Sequence, residues 1–316
     1  MKPLRVAVIG AGVMGQRHIE TYLSHPLVHL TYVVDIDQNK LDTLYADYDF
    51  LVETSYKKIV EEVDAVSITT PTSTHFQIAE FFLSKGKHVL VEKPVTNNVD
   101  NALEIIRKAE ENNVVLAIGH IERFNPVIDF IKTTLENNKP LYIKIQREGS
   151  FDPRIYDSDV ILDLMIHDLD LLYYMLNEKL EISSALGTEY CTSMIDIGNV
   201  NLYSQSGIHI YIKSSRAASR KSRYWLIVFE NYCLHIDLIN YGIYKTSNRV
   251  NYVSLEKHKI TTSKSPLQLE IEDFISAIYK KTQPRTDGYE GLKALELAMG
   301  IQDTIRGHQL KSKIIL

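Results

Sequence analysis

The sequence holds only 2 cysteines in 316 residues, Cys191 and Cys233, with no CxxC spacing between them. That excludes a disulfide scaffold and fits a reducing compartment, with both thiols read as packing residues. Apolar runs of membrane-spanning length are absent. No charged n-region, apolar h-region or cleavage site precedes the strand-like Leu4-Arg5-Val6-Ala7-Val8-Ile9, so a cytoplasmic location is expected. An excess of positive charge is also lacking: Lys+Arg number 35 against 40 Asp+Glu, a net charge of -5 spread along the chain. Neither nucleic acid nor an anionic membrane is an expected partner. There is no GxSxG or other nucleophile motif to support covalent catalysis. Internal repeats, low-complexity tracts and flexible linkers are missing as well.

What is present is a chain that is 45% hydrophobic and too long for one ordinary domain. Up to about residue 121, β-branched runs at 4–9, 28–34, 64–69, 87–91 and 114–118 alternate with helical patterns, notably Thr74 to Lys85 and Val99 to Asn112. That order predicts a doubly wound α/β Rossmann domain over 1–121. Beyond it the pattern predicts a helix over 126–136, a strand near 141–147 and an apolar helix over 160–176. Alternating strands follow between about 181 and 256, then two helices and a final strand. The second domain, 122–316, is therefore expected to be α+β, with a mainly antiparallel open sheet for substrate binding and oligomerisation.

The strongest local signal is Gly10-Ala11-Gly12-Val13-Met14-Gly15, a GxGxxG between a strand and a helix. Gly10 permits the tight turn, Gly12 lets a pyrophosphate approach the backbone, and Gly15 lets helix pack on strand. A second strand ends at Val33-Val34-Asp35, twenty residues beyond Gly15, where a carboxylate can accept from ribose hydroxyls and repel a 2′-phosphate. NAD rather than NADP is the expected cofactor. Thr70-Pro71 follows another strand and is placed to line the nicotinamide side, or serves as an ordinary strand-to-helix turn capped by Ser73 or Thr74.

With Glu92-Lys93-Pro94, at the end of the strand Val89-Leu90-Val91, the chain resembles the glucose-fructose oxidoreductase, inositol dehydrogenase and rhizopine catabolism (Gfo/Idh/MocA) family over nearly its whole length. The resemblance is carried by the glycine fingerprint, Thr70-Pro71 followed by His75, Glu-Lys-Pro, and Gly119-His120-Ile121-Glu122-Arg123-Phe124-Asn125-Pro126. Asp163-Leu164-Met165-Ile166-His167 and Pro284-Arg285-Thr286-Asp287-Gly288 complete it. The chain departs from many members in having Ser158-Asp159-Val160-Ile161-Leu162, rather than a glycine pair, before Asp163. The resemblance implies that Lys93, Asp163 and His167 are catalytic and that the Lys93-Pro94 bond is cis. It further implies that Gly10, Gly12, Val13, Met14, Gly15, Asp35, Thr70, Pro71, His75, Glu92 and Lys93 hold the cofactor.

The residues themselves suit that chemistry. Oxidising a secondary alcohol requires a base for the hydroxyl proton, stabilisation of the developing alkoxide and a nicotinamide to take the hydride. Lys93 lies just past a strand's C-terminal end, where open α/β sheets bind ligands, although a Lys beside a Pro is also a common surface residue. On an α-helix over 160–176, Asp163, His167, Asp170 and Tyr174 would form one polar stripe, the Cβ atoms of Asp163 and His167 about 5–6 Å apart. His167 is then a general acid/base with Asp163 beside it, or the two satisfy each other in the core. Asp168 lies off the stripe, and no metal site is expected because an i, i+4 His/Asp pair lacks further ligands.

Within the family, the junction motif, Phe151-Asp152-Pro153-Arg154 and the catalytic helix look like the UDP-N-acetylglucosamine 3-dehydrogenases. That resemblance implies a nucleotide-sugar substrate, a downstream aminotransferase and a role in diamino-sugar synthesis for lipid A or another surface glycan. Arg123 and Arg154 are the leading candidates for the diphosphate, among Arg147, Arg216, Arg220 and Arg223. Lys93 and His167 would also touch the substrate. Two alternatives stay open: a dehydrogenase of a free sugar or inositol, and a non-catalytic NAD(H)-binding regulator. A homodimer or homotetramer is expected, covering the open sheet.

Overall fold

A strand that is apolar at nearly every position needs cover on both faces, as strands have in parallel sheets wrapped by helices. β1 (Leu4–Ile9) is such a strand, with Val6, Ala7, Val8 and Ile9 all buried. The computed structural model describes residues 2–45, 49–153, 157–247, 255–260 and 262–314. After β1 come α1 (Val13–Leu23), β2 (Val28–Val34), α2 (Gln38–Tyr45), β3 (Leu51–Glu53), β4 (Ala65–Ile68), α3 (Thr72–Ser84), β5 (His88–Glu92), α4 (Val99–Glu111) and β6 (Leu116–Gly119). The six strands pair in parallel in the order β3-β2-β1-β4-β5-β6. Strand order reverses between β1 and β4, so the ligand crevice of such a sheet opens at their C-terminal ends. β3 is too short to read in the sequence, and the helical stretch expected before β4 is divided between α2 and a 3₁₀ turn at Tyr56–Glu62.

The second unit contains α5 (Ile128–Asn137), β7 (Tyr142–Glu148), a π-helical turn Ile161–Met165 and α6 (Ile166–Leu176). Seven strands follow: β8 (Leu180–Thr188), β9 (Ile197–Ser204), β10 (His209–Ser215), β11 (Ser222–Val228), β12 (Tyr232–Asp237), β13 (Gly242–Ser247) and β14 (Leu255–Lys259). With β7 they form an eight-stranded sheet, β14-β13-β12-β11-β7-β10-β9-β8, antiparallel except where β7 meets β10. Along β7, Ile143, Ile145 and Arg147 are buried while Tyr142, Lys144, Gln146 and Glu148 are half-buried. The buried side joins Val127, Ile131, Met165, Leu169 and Leu172 in one core.

The expected second domain, 122–316, is not one continuous piece. The first unit ends at Ile121 but takes back Lys264–Leu292, and the second unit resumes from Lys293. α7 (Pro266–Lys280) starts with Ser265 and Gln268 capping each other's backbone and Pro266 in the first turn. Its Leu267, Ile271, Phe274 and Ile275 pack into the cluster of Tyr22, Leu30, Leu90 and Ala117. Ile118 N–H then donates to Thr286 at 2.8 Å, and α8 (Gly288–Ile314) begins where a Cβ on Gly288 or Gly291 would strike Ile106 or Ile118. Amphipathic periodicity says that α7 covers a core but not which one, so this return was illegible. The expected final strand is also absent among the described residues, because α8 continues to Ile314.

If α7 belongs to the first unit's core, Phe274→Ala should cost about 3–5 kcal/mol of unfolding free energy, the usual range for emptying a buried aromatic site. Denaturant titration checks this; a loss below about 1 kcal/mol would mean that α7 packs elsewhere.

Candidate active site

In the first unit the glycine turn is set by close approach. Gly10 has φ +98°, and a Cβ there would lie 2.9 Å from the Thr69 backbone; one on Gly15 would fall 1.9 Å from the Gly10 carbonyl oxygen. Thr69 closes the contact by donating its hydroxyl to that oxygen at 2.7 Å. Gly12 is the opposite case: nothing lies within 4 Å of its ideal Cβ, and it begins α1 with no side-chain cap. An open helix N-terminus of this kind, with backbone N–H groups facing outward, fits a pyrophosphate. Val13 is exposed and Met14 half-buried in the same first turn.

At the end of β2, Asp35 accepts from the Ala11 N–H at 2.8 Å and from Lys40 Nζ at 2.8 Å. Burial pushes this carboxyl up, but Lys40 and the Asp37 and Ala11 N–H groups more than reverse it, holding it below the usual carboxylate range. Asp35 is therefore an ionised acceptor beside the turn. Next to it Ile36 is 94% exposed, a large apolar side chain with no packing role of its own.

Thr70 and Pro71 lead into α3, where Thr74 donates back to Thr70 Oγ1 and to the Pro71 carbonyl instead of capping the helix. His75 is buried, with Nδ1 2.9 Å from the Pro94 carbonyl and Nε2 2.9 Å from the Thr70 carbonyl. Lys93 stands half-buried just beyond β5, and the Lys93-Pro94 peptide is cis. The Glu92 carboxylate turns inward, where Oε1 meets His18 Nε2 at 3.2 Å and Oε2 accepts the Lys93 N–H at 3.2 Å.

In the second unit the expected catalytic helix is not α-helical throughout. Asp163 lies in the π-helical turn and His167 in α6. Asp159 starts this segment, its Oδ1 accepting the N–H groups of Ile161 and Leu162 and its Oδ2 the Gln302 amide. A π-helical turn carries i→i+5 bonds, so the backbone between Asp163 and His167 is not the regular α-helix expected. Asp163 is half-buried and His167 is 9% exposed. Behind them Asp168 accepts from Arg147 Nε at 2.7 Å and from Trp225 Nε1 at 3.1 Å, while Arg147 also meets Glu122 at 3.0 Å. Burial pushes the Glu122 carboxyl up, but Arg147 and Arg223 more than reverse it. Asp170 receives Arg123 through Nε and Nη2, both at most 1% exposed.

Residues 4–120 match an oxidoreductase family with an NAD-binding Rossmann fold. The UDP-N-acetylglucosamine 3-dehydrogenase of Acidithiobacillus ferrooxidans is 31% identical over 304 residues, covering 95% of this chain and 96% of that protein. The chain belongs to the Gfo/Idh/MocA oxidoreductase family. A solved structure of that enzyme superposes with a TM-score of 0.88, covering 97% of this chain and 99% of that one. An inositol 2-dehydrogenase of Mycolicibacterium smegmatis is 31% identical over 189 residues, but these span 57% of this chain and 55% of that protein. As a member of the Gfo/Idh/MocA family the chain is an NAD-dependent dehydrogenase, and the turn described above suits that cofactor.

The family's motifs do not all meet the ligand as expected. Arg123 is buried and bound to Asp170, so the expectation that it offers a fork to a substrate phosphate is withdrawn. His75 spans two backbone carbonyls with both ring nitrogens, and Glu92 gives both carboxylate oxygens to the interior. Their side chains hold the turns on which Thr70 and Lys93 sit. Arg154 lies outside the described residues. The exposure of Ile36 was not foreseen, because it reads as the next residue of an ending strand. No helix among the described residues is long and apolar enough to cross a membrane.

Asp170→Asn would leave the Arg123 charge buried without its partner. Stability should fall by about 3–5 kcal/mol, as when one member of a buried pair is removed. Chemical denaturation reads this directly; an unchanged midpoint would restore Arg123 as a group available to substrate.

Proposed function

We propose that the protein oxidises the C3 hydroxyl of UDP-N-acetylglucosamine, with NAD, to the 3-keto nucleotide sugar. The observation that supports this most is the 31% identity across essentially the whole of a UDP-N-acetylglucosamine 3-dehydrogenase, against 24% across a similar share of one inositol dehydrogenase and 31% across little more than half of another.

NAD, bound over Gly10, Gly12, Val13, Met14 and Gly15, supplies the hydride acceptor. Asp35 would accept from the adenosine ribose hydroxyls and the exposed Ile36 side chain would offer an apolar face to the adenine, while Thr70 and Pro71 would line the nicotinamide side. His167 takes the O3 proton as general base, with Asp163 beside it. The Lys93 ammonium donates to the reacting oxygen as charge builds on it. With NAD bound, the cofactor would take the hydride from the C–H bond that breaks, and His167 would hold the proton released from the O–H bond. Arg147 and Arg216 are buried in ion pairs like Arg123, and Arg223 is bound to Glu122. The diphosphate is therefore assigned to Arg154, from its place in the Phe151-Asp152-Pro153-Arg154 motif, and to the exposed Arg220. A ketone at C3 is a substrate for an aminotransferase, which places the enzyme before a diamino sugar of a surface glycan. The free thiols Cys191 and Cys233 fit a cytoplasmic setting.

Lys93→Ala and His167→Ala should each keep NADH affinity and lose about 10²–10⁴-fold in turnover, the usual contribution of a positioned proton-transfer group. Wild-type turnover in both would remove the catalytic assignment and return His167 to the role of a core residue.

NADH formation should appear with UDP-N-acetylglucosamine, and more of it when a hydrazine traps the ketone. A screen of UDP-sugars, free hexoses and inositols, followed at 340 nm, decides the substrate class. Turnover of inositol or glucose without any UDP-sugar would favour the free-polyol dehydrogenase.

We also infer a homodimer or homotetramer. The outward face of the large sheet carries Tyr142, Tyr211, Tyr224, Lys144 and His209, all half-buried and amphipathic, a composition suited to a second copy. Light scattering should give a multiple of the 36.2 kDa chain mass, and a concentration-independent monomer would refute it.

A further inference from the structure

Glu92 is buried at the end of β5, and a buried carboxylate is tolerated only where donors surround it. Its donors come from two directions. Lys93, the next residue, gives its own N–H to Oε2. His18 on α1 faces Oε1 through Nε2 at 3.2 Å, and its Nδ1 lies 3.2 Å from Ser67 Oγ, which is 2.7 Å from the Tyr22 hydroxyl. One direction of donation satisfies the entire chain: Tyr22 to Ser67, Ser67 to His18 Nδ1, His18 Nε2–H to Glu92. Burial pushes the Tyr22 hydroxyl up, so it keeps the proton that starts the relay. Burial raises Glu92 too, but His18 and Lys93 more than reverse it, leaving an ionised acceptor at the other end. Gly119 on the neighbouring strand has no room for a side chain, since a Cβ would sit 2.9 Å from Glu92 Cδ.

We propose that Glu92 is a positioning residue for Lys93, fixed by the His18–Ser67–Tyr22 relay, and not a ligand of the cofactor. The peptide N–H of Lys93 is tethered to a carboxylate that is itself held from α1, β4 and β6, so the direction in which the Lys93 side chain leaves the strand is set from inside the sheet. Glu270 of α7 brings a second buried carboxylate, its ligand atom and those of His18 and Glu92 lying within 4.8 Å of one another. A divalent ion is the competing occupant of that trio. The relay is preferred because both His18 nitrogens are already engaged, one by Ser67 and one by Glu92.

The inference rests on Lys93 acting in turnover, so the test separates the two. Full-length Glu92→Gln, alone and combined with Lys93→Ala, is assayed with the sugar that the wild-type protein oxidises, and NADH affinity is followed by fluorescence titration. Glu92→Gln should lower kcat on the order of 10²-fold, as a misplaced catalytic group does, without weakening NADH. In the Lys93→Ala background the same change should cost nothing further, because the two residues act as one unit. Tyr22→Phe and Ser67→Ala, which keep the packing, should move kcat in the same direction if Glu92→Gln does not fold. Equal losses in both backgrounds would show a purely structural effect and overturn the inference. So would a loss of NADH affinity at unchanged kcat, or one divalent ion per chain in the purified protein. Full turnover by Lys93→Ala alone would overturn the role of Lys93, and this inference with it.

Discussion

The first unit depends on the closeness of one backbone contact. α1 can begin directly beneath the end of β4 only because Gly10 and Gly15 have no side chains, a Cβ on the latter falling 1.9 Å from a carbonyl oxygen. That approach leaves the first N–H groups of α1 facing out at the switch point of the sheet. It also carries His18 and Tyr22, one and two turns along α1, into the interior, where they meet Ser67 on β4 and Glu92 on β5. A single packing constraint thus supplies both an anion site and the inner partners of the strand that ends at Lys93.

The second unit solves a different problem, that of placing many charges in a core. Glu122, Arg147, Asp168 and Arg223 form a group with two charges of each sign, and Arg123 with Asp170 forms another neutral pair. Pairs of this kind hold geometry more than they add stability, since desolvation offsets much of the Coulomb attraction. Here they fasten α6 to β7 and the 3₁₀ turn Ile121–Phe124, around the π-helical turn that bears Asp163. A π turn costs backbone regularity, and here the N–H groups of Ile161 and Leu162 are taken up by Asp159 at its start.

Much of this was legible in the residues. The alternation of strands and helices up to residue 121, the glycine turn and the acid after β2 followed from periodicity and spacing alone. What was not legible depends on partners distant in sequence. Arg123 reads as a fork for phosphate until Asp170 is seen across the core, and the inward partners of Glu92 and His75 lie too far along the chain to be read locally. Local pattern could not show that α7 crosses back to the first unit, because an apolar stripe fits either core. Nor could it show the π turn, whose residues Ile161-Leu162-Asp163-Leu164-Met165 suit an α-helix equally well.

The central claim is that a hydrogen leaves C3 of a nucleotide sugar as hydride and arrives on the nicotinamide. Incubating the protein with NAD and UDP-N-acetylglucosamine carrying deuterium at C3, then weighing the reduced cofactor by mass spectrometry, follows that atom. The account predicts reduced cofactor heavier by one mass unit. Unlabelled NADH from the deuterated sugar would contradict it.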